Sequence, residues 1–139
     1  MNGYFFYLCT YPDVYRKLQK IVDDIFPDGI AEYKWDKIQN VPYIDAIINE
    51  TLRLQPPAPE GLKRLTPPEG ITVGDVYVPG DVVISVPIYA LHRDPKYWAK
   101  AESFIPERWT DQPELCIDKR AYMPFTLGRN PCLSSAHIC

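Results

Sequence analysis

The spacing of a structural zinc site is missing from this chain. Its four cysteines, Cys9, Cys116, Cys132 and Cys139, form no C-x-x-C pair, and only His92 and His137 stand beside them. A concentrated basic surface is missing too. Lys and Arg number 15 against 18 Asp and Glu, and they are scattered at a net charge of −3. This argues against nucleic acid as a main partner. No apolar run is long enough to cross a membrane, and the opening MNGYFFYLCT lacks the basic start of a signal peptide. A disulfide framework is therefore a poor reading, and any membrane anchor of a complete protein is expected outside this chain. There are no internal repeats and no low-complexity tract.

Proline is what the chain has in excess. Fifteen are present, twelve of them from Pro56 onward, so helix is expected early and loop or extended chain later. A length of 139 residues supports one modest core and not two comfortable domains.

The first clear element is a helix over about 11–26. Thr10 or Tyr11 can cap it, Pro12 suits its first turn, and Asp13 complements the helix dipole. Val14, Leu18, Ile21 and Ile25 give the apolar stripe, and Pro27-Asp28-Gly29 stops it. A second helix is expected from Pro42 to Leu54, with Ile44, Ile47, Ile48 and Leu52 as its stripe and Pro56-Pro57 beyond it. The pattern then switches to period two, at Ile71 and Val73, Val76 and Val78, and Val82, Ile84 and Val86. This predicts a small antiparallel sheet, with a type II turn at Val78-Pro79-Gly80-Asp81. Residues 95–131 read as a coiled meander held by side chains.

Three constellations carry chemistry. In Glu50-Thr51-Leu52-Arg53 the two charges are three residues apart on a helix and can pair. Both lie off the Ile44 stripe, so the bland reading is a solvated ion pair worth a few tenths of a kcal/mol. In Phe104-Ile105-Pro106-Glu107-Arg108-Trp109 a Pro-fixed turn presents an arginine. It is either a surface corner or the means of sending Arg108 back to Glu50 in an Arg–Glu–Arg cluster. In PFTLGRNPC, Cys132 follows Gly128 and the aromatic Phe125 in a stretch that is neither regular helix nor strand. An inert buried thiol is the bland reading. A rigid loop holding one sulfur outward, with backbone N–H groups turned towards it, is the functional one.

The order Glu-x-x-Arg, Pro-Glu-Arg-aromatic, Phe-x-x-Gly-x-x-x-Cys resembles the cytochrome P-450 family of haem-thiolate monooxygenases. The stretches YPDVYRKLQ, ETLRLQPP, GLKRLTPPEGITVGDVYVPGD and LHRDPKYW look like the family as well, most of all its fungal or other eukaryotic branches. The resemblance runs from about Tyr11 to Cys132. It implies an α+β, mainly α fold: the C-terminal part of the P-450 fold, with two helices, a small antiparallel sheet, the meander and a Cys-ligand loop. Residues 1–139 would then form a single partial domain.

The resemblance further implies that Cys132 is the axial thiolate of a haem iron and that Glu50, Arg53 and Arg108 form a structural triad behind the haem. Phe125 would pack beside the sulfur and Arg64 would pair with a propionate. Gly128 would shape the loop. Arg129 would stand in for the basic residue that the family places where this chain has Asn130, and Ser134 replaces a usual glycine. His92 and Arg93 lie in a family-like stretch without an assigned contact. The complete enzyme would insert one oxygen atom from dioxygen into a small organic substrate, with electrons from an NADPH-dependent reductase. A full-length eukaryotic homologue would sit at the endoplasmic reticulum membrane.

The family's oxygen-activating helix and the helix after its cysteine have no counterpart here, and the closing SSAHIC departs from the family. An inactive remnant without stable haem binding is therefore the alternative reading. A Pro-rich interaction module using QPPAPEGLKRLTPPEG is a third.

Overall fold

A computed structural model of the chain describes residues 2–127. Its longer helices are α1 (Asn2–Thr10), α2 (Pro12–Ile25) and α4 (Pro42–Leu54), with the single turn α3 (Trp35–Ile38) between the last two. The bounds of α2 and α4 match the sequence reading to within a residue. The reading did not include α1, whose apolar residues fall on every side of the helix, leaving no period to detect. Pro12 starts α2, but neither proposed cap acts. Tyr11 makes no side-chain cap bond, and the Thr10 hydroxyl donates back to the Phe6 carbonyl at 2.8 Å.

The core lies where α1, α2 and α4 meet the start of the meander. Tyr7, Tyr43, Ile47, Leu54 and Phe104 are buried in it, flanked by Leu8, Tyr11, Val14, Leu18 and Ile21. Tyr7 and Phe104 stack with centroids 4.4 Å apart and planes 2° from parallel. Helix α2 lies on top with no fully buried residue, whereas α4 is buried on more than its apolar stripe. Ile47 and Leu52 are covered as expected, but so are Glu50, Thr51 and Arg53.

The single small sheet anticipated from the sequence is two separate two-stranded antiparallel ladders. Strand β1 (Arg64–Leu65) pairs with β4 (Val83–Ile84), Arg64 opposite Ile84. Between them in sequence lies the hairpin of β2 (Ile71–Val73) and β3 (Val76–Val78), with Ile71 opposite Val78. Gly74 opens its tip with a φ of 59°, the positive value a two-residue hairpin turn favours.

The type II turn expected at residues 78–81 does not form. Gly80 does not take the positive φ, which falls on Asp81 at 57°. Gly80 is needed for space, because any Cβ there would run into the Pro68 carbonyl. Thr66 organises this corner instead, its hydroxyl donating to the Pro79 carbonyl at 2.7 Å and accepting from the Val82 amide at 2.9 Å.

After the short helix α5 (Ile88–Leu91), the described part of the meander contains three single 3-10 turns, at Pro106–Trp109, Pro113–Leu115 and Lys119–Ala121. Its only other regular feature among the described residues is an antiparallel bridge between Trp98 and Cys116. Chain without ladder bonds must satisfy its carbonyls elsewhere, and two buried guanidinium groups do this.

Candidate functional site

Glu50 and Arg53 occupy successive turns of α4, and both are 0% exposed; Arg108, on the first 3-10 turn of the meander, is 1% exposed. The solvated ion pair is therefore overturned and the Arg–Glu–Arg cluster is present. The α4 face opposite the Ile44 stripe is covered by the meander, and that covering strips the pair of water.

Both Glu50 oxygens are fully used. Oε1 accepts from Arg53 Nη2 (2.9 Å), the Ile105 amide (3.0 Å) and Arg108 Nε (3.2 Å). Oε2 accepts from Arg53 Nε (2.9 Å) and Trp109 Nε1 (3.0 Å). Arg53 thus grips the carboxylate with two parallel bonds, the strong fork geometry.

The remaining guanidinium donors face the meander's carbonyls. Arg53 donates to those of His92 and Ala101, each at 2.7 Å, and of Ser103 at 3.1 Å. Arg108 donates to those of Ala99 (2.8 Å), Leu115 (2.6 Å) and Lys100 (3.3 Å). Burial lowers the Arg108 pKa from its ordinary value, and the facing Glu50 carboxylate works against that shift. The cluster acts as a clamp that gives an irregular segment one conformation.

A second, more exposed ionic contact ties α2 to the same turn. Lys17 Nζ lies 2.9 Å from Glu107 and 4.1 Å from the centre of the Tyr43 ring. Tyr43 donates its hydroxyl to Glu107 at 3.1 Å. Burial alone would raise the Glu107 carboxyl, but the Lys17 ammonium, a hydrogen bond from its own backbone N–H and the Tyr43 hydroxyl together outweigh it and hold it below the ordinary value.

Beside the clamp an apolar cleft of about 170 Å³ opens between β1, β4 and the end of the meander. Leu62, Ile84, Val86 and Ile88 line it together with Met123, Thr126 and Leu127, and Arg64 lies among the lining residues. The structure thus brings Arg64 together with the segment that leads to Cys132. Thr126 takes a φ of 61°, rare for a β-branched residue, and its buried hydroxyl has no hydrogen-bond partner among the described residues. Phe125 is half-buried beside it. Gly128, Arg129, Asn130, Cys132 and Ser134 lie outside the described residues. An apolar wall with an arginine and an unsatisfied hydroxyl fits one flank of a flat, apolar group bearing anionic substituents, which is the chemistry of haem.

The described cysteines are poor rivals as ligands. Burial pushes the Cys116 thiol above its ordinary pKa, which disfavours the thiolate a metal needs, and Cys9 lies exposed on α1.

The sequence by itself assigns no role to three contributors: Trp109, Tyr122 and His92. Trp109 closes the Glu50 cluster, and its place in the PERW run was a usable signal. Tyr122 donates its hydroxyl to Asn49 Oδ1 at 2.9 Å. The buried His92 ring joins two elements, which a lone histidine in a sequence does not reveal.

A buried Glu-x-x-Arg clamp beside an apolar cleft that an arginine helps to line fits the surroundings of a haem group. The chain belongs to the cytochrome P450 family, whose sequence model matches residues 1–133. It is 45% identical over 127 residues to the cytochrome P450 monooxygenase eupD of Phoma sp, covering 91% of this chain and 44% of that protein. It is 38% identical over 126 residues to the tryprostatin B 6-hydroxylase of Aspergillus fumigatus, covering 91% of this chain and 22% of that one. Human cytochrome P450 3A7 is similar at 38% identity over 126 residues, with 91% and 24% covered. The chain therefore spans less than half the length of these relatives. Among the described residues no helix is long and apolar enough to cross a membrane.

Proposed function

We propose that this chain supplies the haem-thiolate side of a monooxygenase that inserts one oxygen atom from dioxygen into a small organic substrate, drawing electrons from an NADPH-dependent reductase. The carrying observation is the shared cleft, which is lined by Arg64, from β1, and by Thr126 and Leu127, six and five residues before Cys132. In this reading Cys132 ligates the haem iron and Arg64 pairs with a propionate. Phe125 packs beside the sulfur, and Gly128 and Arg129 shape and support the loop. Haem, when bound, supplies the redox-active iron at which dioxygen is activated, cytochromes P450 being the known case in which a cysteine thiolate pushes electron density to favour O–O cleavage.

The chain's own residues hold and position. Glu50, Arg53 and Arg108 fix the meander, the meander presents the segment 123–127, and the apolar wall keeps water from one flank of the cleft. Neither Glu50 nor the two arginines face the cleft as reacting groups, because among the described residues their hydrogen bonds go to one another, to Trp109 or to backbone. They are structural in the strict sense that their work is finished when the segment is in place.

The test is spectroscopic. The chain reconstituted with haem, reduced and exposed to carbon monoxide, should show the red-shifted band of thiolate ligation. Cys132→Ala should lose it. An unchanged band in that variant removes Cys132 as the ligand.

A further inference from the structure

His92 is fully buried at the start of the meander, and both ring nitrogens are used. Nε2 lies 3.0 Å from the Met123 amide. A backbone N–H can only donate, so Nε2 must present its lone pair. Nδ1 lies 3.1 Å from the Arg53 carbonyl. A carbonyl can only accept, so Nδ1 must carry the proton. The two partners together select one neutral tautomer.

The ring is also held flat, stacked on Tyr122 at 5.5 Å and edge-on to Trp98 at 6.4 Å. The backbone around it is tied to the same arginine, since the His92 carbonyl accepts from Arg53 Nη1 at 2.7 Å. Arg53 on α4 and the adjacent Arg93 are the charged groups that bear on the ring, and both disfavour a positive imidazole.

We propose that His92 is a positioning residue. As the Nδ1-protonated imidazole it fastens the Met123 backbone to the C-terminal turn of α4 and so sets where the segment 123–127 enters the cleft and departs for Cys132. The importance of that departure point rests on the reading of Cys132 as the haem ligand; the tether itself does not. The Glu50 clamp ends at Leu115, the last carbonyl bound by Arg108. Beyond it, among the described residues, the His92 bridge and the Tyr122–Asn49 hydrogen bond tie the chain back to α4. His92 binds the more distal residue of the two, Met123, itself part of the cleft wall.

The experiment uses the full 139-residue chain, isotopically labelled, and two substitutions that split the ring's functions. In His92→Gln the side-chain oxygen reaches the Nε2 position and can still accept from Met123. In His92→Asn the amide nitrogen reaches only the Nδ1 position, so the Arg53 bond survives and the Met123 amide loses its acceptor.

Long-range nitrogen–proton spectra of the unsubstituted chain should show the Nδ1–H tautomer. Hydrogen exchange at Met123 should be little changed in His92→Gln and about 10- to 100-fold faster in His92→Asn, the factor that loss of one buried partner implies. Amides of Ile47 and Leu54 should stay protected in both variants. Haem should bind more weakly to the Asn variant than to the Gln variant. An Nε2–H tautomer, or equal Met123 exchange in the two variants, overturns the proposal, and the tautomer measurement decides it even if a variant does not fold. If the exchange contrast holds while Cys132→Ala keeps its carbon monoxide band, the ligand reading fails and the tether stands.

Discussion

Replacing Glu50 with glutamine tests the clamp most directly. The change is nearly isosteric, so it adds no cavity, and its whole effect is electrostatic and hydrogen-bonded. The carboxylate accepts five bonds in the structure, three at Oε1 and two at Oε2. Glutamine keeps one oxygen and turns the other into an NH2 group. Placed at the Oε2 position, that group points a donor at two donors, Arg53 Nε and Trp109 Nε1. Two guanidinium charges remain in an interior where Glu50, Arg53 and Arg108 are at most 1% exposed, with their counter-charge gone. Breaking a buried pair from one side costs about 3–5 kcal/mol.

Stability would be followed by urea unfolding of the 139-residue chain. With a slope of about 2 kcal/mol/M, ordinary for a small domain, a loss of about 4 kcal/mol lowers the midpoint by about 2 M. Asp13→Asn is the control. It breaks the Asp13–Arg16 pair, whose side chains are 93% and 73% exposed, and should move stability by less than about 0.5 kcal/mol. If Glu50→Gln costs no more than about 1 kcal/mol, the cluster behaves as a surface pair and does not hold the meander in place.

Acid should act first through His92, whose pKa burial lowers to about 4 from 6.5. The unfolded chain therefore takes up a proton in this window that the folded chain refuses. Stability is full above about pH 6.5 and falls as pH drops towards 4, by roughly 3 kcal/mol in all. His92→Gln should flatten the stability profile between pH 4 and 6.5, and a slope that persists in that variant assigns the effect to another group. Gly80→Ala should destabilise by about 1–3 kcal/mol, because its methyl has no room against the Pro68 carbonyl. A neutral result in thermal unfolding would show that the 78–81 corner opens easily.

The parts of this protein that a periodic pattern describes are legible in the sequence. Helix α4 begins at Pro42 and ends at Leu54 as its stripe and flanking prolines dictate, and the paired β residues 71–73 and 76–78 follow from alternation. Helix α1 was not legible, because a segment that is apolar all round has no period. The turn at 78–81 misled for a different reason. Pro followed by Gly is the local signature of one turn type, but the Pro68 carbonyl lies against Gly80, and the positive φ moved to Asp81.

The motifs fared unevenly as well. Their order along the chain gave the family, since Glu-x-x-Arg, Pro-Glu-Arg-Trp and the run to Cys132 are chemical identities that a sequence states outright. Spacing alone made Glu50 and Arg53 neighbours on a helix, and helical geometry fixed that much. Whether the pair stood in water or without it depended on chain some fifty residues away. The meander covers that face of α4, and a charge pair worth tenths of a kcal/mol in solvent becomes a clamp once its carboxylate accepts from Arg108, Trp109 and the Ile105 amide. His92 is the same case at its limit. Its residue type is written in the sequence, but its tautomer and its hold on Met123 exist only because folding sets a carbonyl on one side of the ring and an amide on the other. Local spacing acts over a few residues; desolvation and long-range hydrogen bonding act only between elements already packed together.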